Sequence, residues 1–97
     1  MASQDILTLL ACQIDIPEMT TAAERDQHLS VSAQKVEEQL RSTPADIVVL
    51  PELSSIDYSR AAFACLDVLA EPLEGASFEC WRAVARRHKA FVSYSFA

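Results

Sequence analysis

Glu52 is the residue of this sequence that is best placed for proton-transfer chemistry. It follows residues 47–50, four apolar side chains in a row that predict a buried strand, and Pro51, which has no amide hydrogen and ends the strand's hydrogen bonding. In open α/β sheets, ligands bind beyond the carboxyl ends of the strands. Glu52 is therefore a candidate for proton transfer, and the residue types alone equally allow a glutamate that caps a turn or faces solvent.

The cysteines are weaker candidates for chemistry. Cys12, Cys65 and Cys80 form an odd set without a CxxC pair, which is typical of reduced thiols in a reducing compartment. We interpret each one as a small core residue and assign no nucleophile. Cys80 and His88 do not predict a thiol-imidazole pair, because eight residues of helix separate them by about 12 Å.

No metal site and no cofactor are predicted. The histidines and cysteines lack the spacing of metal ligands, and Gly75, the single glycine, excludes a glycine-rich phosphate-binding loop. A basic run near the C-terminus could bind an anion, but cations in a last helical turn complement the negative end of the helix dipole, and we favour that interpretation. The run consists of Arg82, Arg86, Arg87, His88 and Lys89.

The composition is that of an acidic globular protein. Apolar residues make up 51% of the chain, charged residues 23%, and the net charge is -6. This charge argues against nucleic acid or an anionic membrane surface as the main partner. The apolar run at residues 6–12 is too short to span a bilayer, and no cationic segment precedes it as in a secretory signal. We therefore expect a cytoplasmic protein with no membrane partner.

The elements around Glu52 begin in strand-helix-strand order. Residues 6–12 predict a first buried strand. Thr21 and Glu24 match a capping box and predict a helix that ends near Arg41, ahead of Pro44. One side of this helix is an apolar stripe formed by Leu29, Ala33, Val36 and Leu40. Its other side is expected to face water with Arg25, Gln34, Lys35, Glu38 and Arg41.

The second half of the chain adds two helices and a strand. Residues 59–69 predict a short helix, and Ser77 is expected to cap another. One side of that helix carries Phe78, Trp81, Ala85 and His88. Residues 90–97 alternate in polarity and predict a third strand, with one face formed by Val92, Tyr94 and Phe96.

These elements predict an α/β fold of β-α-β-α-β order. Its strands should be parallel, because a strand-helix-strand unit is almost always a right-handed crossover between parallel strands. No repeat or linker divides the sequence, so residues 1–97 form one unit. The sheet would still need cover on its faces and at an edge, which indicates an incomplete part of a larger layered domain.

Nearly the whole chain resembles the start of the carbon-nitrogen hydrolases, the nitrilase-like family. The resemblance lies in residues 11–13 (ACQ), the first helix, residues 46–53 (DIVVLPEL), Tyr58, and the helix that ends near His88. It implies the N-terminal β-α-β-α-β part of a four-layer αββα sandwich. It also implies a homo-oligomer for the full-length protein.

In that family the glutamate of the strand-Pro-Glu motif is the general base of a Glu-Lys-Cys triad, and it corresponds to Glu52. The base takes the proton of the cysteine thiol, and the lysine helps to stabilise the oxyanion. A carboxylate buried beside the sheet suits that task. The lysine and cysteine lie further along a family chain than residue 97, so the resemblance implies an inactive fragment. The implied substrate is a small amide, nitrile or carbamoyl compound, with Tyr58 lining its pocket.

Two positions depart from the family pattern. Asp57 stands where the family often has glycine before the tyrosine, and aspartate tolerates the left-handed backbone that such a turn needs. Residues 93–95 (SYS) replace a strand end that usually contains glycine, which brings bulk near the expected pocket. This bulk bears on the class of substrate. The alternative function is a non-catalytic α/β binding or interaction module, either a degenerate relative or a truncated product that has kept the fold and lost the reaction.

Overall fold

A three-stranded parallel sheet organises the chain. The computed structural model describes residues 6–97, which form three strands and four helices in the order predicted, with one additional helix. Along the chain the elements are β1 (Leu9–Ala11), α1 (Ala22–Ser42), β2 (Ile47–Val49), α2 (Arg60–Ala64), α3 (Leu66–Leu69), α4 (Ala76–His88) and β3 (Phe91–Ser93). The α/β prediction is confirmed at this level. All three strands are shorter than predicted.

The strand β2 lies in the middle of the sheet. Its residue Val48 is in register with Leu10 of β1 and with Val92 of β3, and both pairings are parallel. The helices α1 and α4 pack against the face on which these three side chains lie. The core there is formed by Val36, Leu40, Ala45, Val48, Leu50, Trp81 and Val84. Both crossovers thus place their long helix on the same side of the sheet.

The opposite face of the sheet is uncovered by residues 6–97. Because side chains alternate along a strand, the neighbours of the buried row point away from the helices. Leu9 is 60% exposed and Phe91 is 79% exposed, and Ile47 lies in register between them on the central strand. This face of the sheet therefore carries exposed apolar side chains within the described part of the chain. No helix within residues 6–97 is long and apolar enough to cross a membrane.

The first helix begins as predicted. The Glu24 N–H donates to Thr21 Oγ1 over 3.2 Å, and the Glu24 carboxylate accepts the Thr21 N–H over 3.1 Å, which completes the capping box. The helix ends one residue later than expected, where the Thr43 N–H donates to the Gln39 carbonyl. Hydrogen bonds from the backbone of Thr20 and the hydroxyl of Thr21 lower the pKa of Glu24.

Ser77 does not cap the last helix, and this prediction is wrong. The N-cap residue is Gly75, and Ser77 lies buried in the first turn of α4. The hydrogen-bond acceptor for Ser77 is a carboxylate from outside the helix, since the Ser77 N–H and hydroxyl both donate to Glu71 over 2.6 Å. The single helix predicted over residues 59–69 is two short helices, with a break at Cys65.

Glu37 joins the two long helices. Its carboxylate accepts hydrogen bonds from Arg87 Nε over 2.7 Å and Arg87 Nη2 over 3.0 Å, and His88 Nε2 lies 3.1 Å away. The Arg87 hydrogen bonds lower the pKa of the Glu37 carboxyl, and its partial burial opposes them. Two members of the basic run are thus engaged by α1, which adds a second reason, beside the helix dipole, for their position.

We expect Glu37→Gln to reduce the free energy of unfolding by about 0.5–1 kcal/mol at pH 7, as measured by urea denaturation. The folded-state pKa is lowered, so the stabilisation is complete above the ordinary value of 4.5 and is lost as pH falls through the folded value. The difference from wild type should therefore shrink as pH falls below 4.5. Glu38→Gln, at an exposed neighbour, is the control and should change little at either pH. A Glu37→Gln difference that is independent of pH would contradict this assignment.

Candidate functional site

Glu52 lies where the predicted strand ends, at the carboxyl edge of the sheet. The ladder continues one residue past β2, because the Leu50 N–H donates to the Ser93 carbonyl over 2.9 Å. On the other side, the Cys12 N–H donates to the Val49 carbonyl over 2.9 Å. Pro51 then ends the hydrogen bonding. The ends of all three strands therefore meet beside the turn that begins at Glu52.

The carboxylate of Glu52 faces solvent. Its side chain is exposed, and no ion pair holds it within residues 6–97. The resemblance led us to expect a carboxylate buried beside the sheet. The described part of the chain instead presents an accessible carboxylate, which a substrate or another protein segment could reach.

The turn after Glu52 contains a strained backbone. Leu53 has a φ of 54°, a left-handed conformation that costs about 1–2 kcal/mol in a residue other than glycine. Sequence reasoning placed the left-handed position at Asp57 instead. That expectation is wrong, since the positive φ values among non-glycine residues 6–97 are at Leu53 and at Lys89, which ends α4.

Two hydrogen bonds from distant parts of the chain hold this turn. The Leu53 N–H donates to Ser95 Oγ over 2.7 Å. The Ser54 carbonyl accepts from His28 Nε2 over 2.7 Å, and this bond is buried. Because a carbonyl can only accept, His28 must carry a proton on Nε2. The segment after β3 and the buried side of α1 therefore converge on the residues that follow Glu52.

Sequence reasoning missed the polar part of the buried side of α1. Arg25 was expected to face water, but it is only 8% exposed and its Nη1 donates to the Leu69 carbonyl over 2.8 Å. His28 is also buried. A signal was present in the spacing, because Arg25 lies four residues before Leu29 and thus on the apolar stripe. We expected Arg25 to face water because its side chain is charged.

Asp57 links the segment that follows the Glu52 turn to the loop before α1. Its side chain is buried, and its Oδ1 accepts the Met19 N–H over 3.2 Å. Met19 in turn packs in a second apolar cluster with Ile56, Ala62 and Leu69. Asp57 is therefore a hydrogen-bond acceptor that links two loops.

Tyr58 does not lie in an enclosed pocket of the described chain. Its side chain is 80% exposed, and its ring contacts Phe63 edge to face, with centroids 5.0 Å apart. The two aromatic rings form an exposed pair between the Glu52 turn and α2. Tyr58 can contact a ligand there only at the surface.

The cysteines have the character of structural residues. All three are free and partly buried. Burial raises the pKa of the Cys12 thiol, and it raises that of Cys80 to about 11, with a further contribution from Glu37. Cys80 Sγ lies 3.6 Å from the Leu29 carbonyl, while His88 contacts Glu37. Within residues 6–97, no group of three His, Cys, Asp or Glu side chains could hold a metal ion.

We expect Asp57→Ala to reduce the free energy of unfolding by about 1–3 kcal/mol, because it leaves the buried Met19 N–H without an acceptor. Asp57→Asn keeps an oxygen acceptor, so its free energy of unfolding should fall by less. Asp67→Ala, at an exposed carboxylate in α3, is the control. Urea denaturation measures all three variants. Equal losses for Asp57→Ala and Asp67→Ala would show that the loop link contributes nothing.

We expect iodoacetamide to alkylate Cys80 slowly in the folded protein. With a pKa of about 11, about one thiol in a thousand is ionised at pH 8, and the thiolate is the reactive form. The rate should rise about tenfold per pH unit up to pH 10. Peptide mapping by mass spectrometry follows the modification, with urea-unfolded protein as the control. Equal rates in the folded and unfolded protein at pH 8 would refute the shift.

Comparison with known proteins gives no relative: no protein-family model, no curated protein and no solved structure matches this chain.

Proposed function

We propose that this chain carries the general base of an enzyme that hydrolyses non-peptide carbon-nitrogen bonds in small amide, nitrile or carbamoyl compounds. The base is Glu52. The observation that carries the proposal is the position of Glu52, an accessible carboxylate directly past the central strand of a parallel sheet, at the edge where the strands end. The resemblance of residues 46–53 to the family motif is the basis for the proposed family, and the position of Glu52 supports its proposed role as general base.

Glu52 acts as a base twice in this reaction. The carboxylate first takes the proton of a cysteine thiol, whose sulfur attacks the substrate carbon. With an amide or carbamoyl substrate, Glu52 gives this proton to the departing ammonia or amine, and a thioester or thiocarbamate remains on the cysteine. With a nitrile, the proton passes to the nitrogen and gives a thioimidate, whose hydrolysis releases ammonia and leaves the same thioester. Glu52, again a carboxylate, then takes a proton from the water that cleaves this intermediate and returns it to the departing thiol. A lysine stabilises the negative oxygen that forms during attack.

The nucleophile and the lysine of this proposal are not among the described side chains. Lys89 lies two residues before β3, and thus at the amino edge of the sheet, opposite Glu52. Lys35 belongs to the middle of α1. The raised pKa values of Cys12 and Cys80 disfavour their thiolates. Cys65 packs against the second apolar cluster. We therefore propose that both partners of Glu52 come from segments outside residues 6–97.

The uncovered face of the sheet supports the same proposal. Leu9, Val49 and Phe91 present apolar surface on the side away from the helices. A second sheet packed there, with its own outer layer of helices, would complete a four-layer αββα sandwich and place further strand ends near Glu52. We propose that architecture for the intact protein, together with a homo-oligomeric state and a cytoplasmic location.

A non-catalytic binding module is the second candidate. The observation that favours it is the exposure of Glu52, which forms no ion pair within residues 6–97. The exposed pair of Tyr58 and Phe63 beside this turn would then serve as a contact surface. In this case Glu52 contributes to binding or stability and to no turnover.

We expect Glu52→Gln to reduce hydrolysis by about 10²–10⁴-fold, because glutamine has the shape of glutamate but cannot accept the proton. The assay measures ammonia release from a panel of small aliphatic and aromatic amides and nitriles, with the protein expressed from its complete gene. Glu74→Gln, at an exposed glutamate before α4, is the matched control and should retain full activity.

The outcomes of this assay separate the two functions. An active wild-type protein and an inactive Glu52→Gln variant support the hydrolase. Activity of Glu52→Gln close to that of wild type would remove Glu52 from the mechanism. A folded wild-type protein with no activity on any member of the panel favours the binding module.

A further inference from the structure

The left-handed residue after Glu52 lies in a turn that ends no helix. At Lys89, the other non-glycine residue of 6–97 with positive φ, the conformation ends a helix, and the N–H donates to the Ala85 carbonyl. At Leu53, the N–H and the next carbonyl are held by hydrogen bonds from distant parts of the chain, and the side chain packs against the second apolar cluster. Strained backbone persists where surrounding contacts determine it, and such positions occur at functional sites.

The contact with Ser95 acts on the peptide unit that belongs to Glu52. The N–H of Leu53 and the carbonyl of Glu52 are parts of one planar group. When Ser95 Oγ accepts this N–H at 2.7 Å, the hydrogen bond fixes the plane of that group. The rotation of Glu52 about its Cα–C bond, and with it the direction of its side chain relative to the sheet, is thereby restricted.

A second contact holds the far side of the turn. His28 Nε2 donates to the Ser54 carbonyl from α1, so Leu53 lies between two fixed points. The two bonds differ in burial. The His28 bond is buried, whereas the Ser95 bond is exposed and water can replace the serine hydroxyl. Loss of the Ser95 hydroxyl should therefore loosen the turn without unfolding the protein.

We propose that Ser95 is a positioning residue for Glu52, which it orients through the Leu53 peptide group, with His28 anchoring the opposite end of the turn. The role in turnover depends on the proposed function of Glu52. The role in backbone geometry does not.

The test compares Ser95→Ala with Ser95→Thr, which keeps the hydroxyl, and with Ser93→Ala, an exposed serine of the same strand end. In Ser95→Ala we expect the hydrogen exchange rate of the Leu53 amide to rise about tenfold, the loss expected for one hydrogen bond. The HN–Hα coupling constant of Leu53, which reports φ, should change as well. The Ser95→Thr and Ser93→Ala variants should both match wild type, and the thermal midpoint should be the same in all.

In the ammonia-release assay we expect Ser95→Ala to reduce kcat by about 10–100-fold with KM within about twofold of wild type, since misplacement of a reacting group affects turnover. Ser95→Thr should restore kcat. If kcat of Ser95→Ala equals that of wild type while Glu52→Gln is inactive, the positioning role is overturned and the hydrolase stands. If Glu52→Gln is fully active, the hydrolase mechanism fails, and the exchange and coupling data alone decide the geometric role. If the exchange rate and the coupling constant of Leu53 are unchanged in Ser95→Ala, the role of Ser95 in the backbone geometry is overturned.

Discussion

The hydrogen bonding on both sides of β2 is the constraint on which the rest of the structure depends. Parallel pairing with β1 and β3 places the carboxyl ends of all three strands at one edge. The ladder on this edge extends through Leu50 and stops at Pro51, which has no N–H to donate. Glu52 consequently leaves the sheet at the position where an α/β protein is open to ligands.

Parallel pairing also explains why the core lies on one side. Right-handed crossovers between strands in the order β1-β2-β3 carry both long helices to the same face. Val48 and Trp81 are buried between the layers, and Phe91 on the other face is exposed. The charge pair of Glu37 with Arg87 then fixes α1 against α4 at the rim of this core. A second layer on the exposed face would complete the burial of the sheet.

Polar contacts and apolar packing together shape the loops around the candidate site. The turn at Leu53 is held in a costly conformation by Ser95 and His28, and Asp57 joins it to the loop before α1. Each contact connects residues at least 26 positions apart in the chain. The turn thus depends on contacts with distant parts of the chain as well as on its own residues.

The sequence by itself determined the order of the elements and the location of Glu52. Hydrophobic runs, the capping box at Thr21 and the proline at position 51 act over a few residues, so their effects can be recognised without the fold. Only the tertiary structure decided that Ser77 donates hydrogen bonds to Glu71 and that the left-handed residue is Leu53. These outcomes depend on contacts between side chains of separate elements. The spacing of residues along the chain does not predict such contacts.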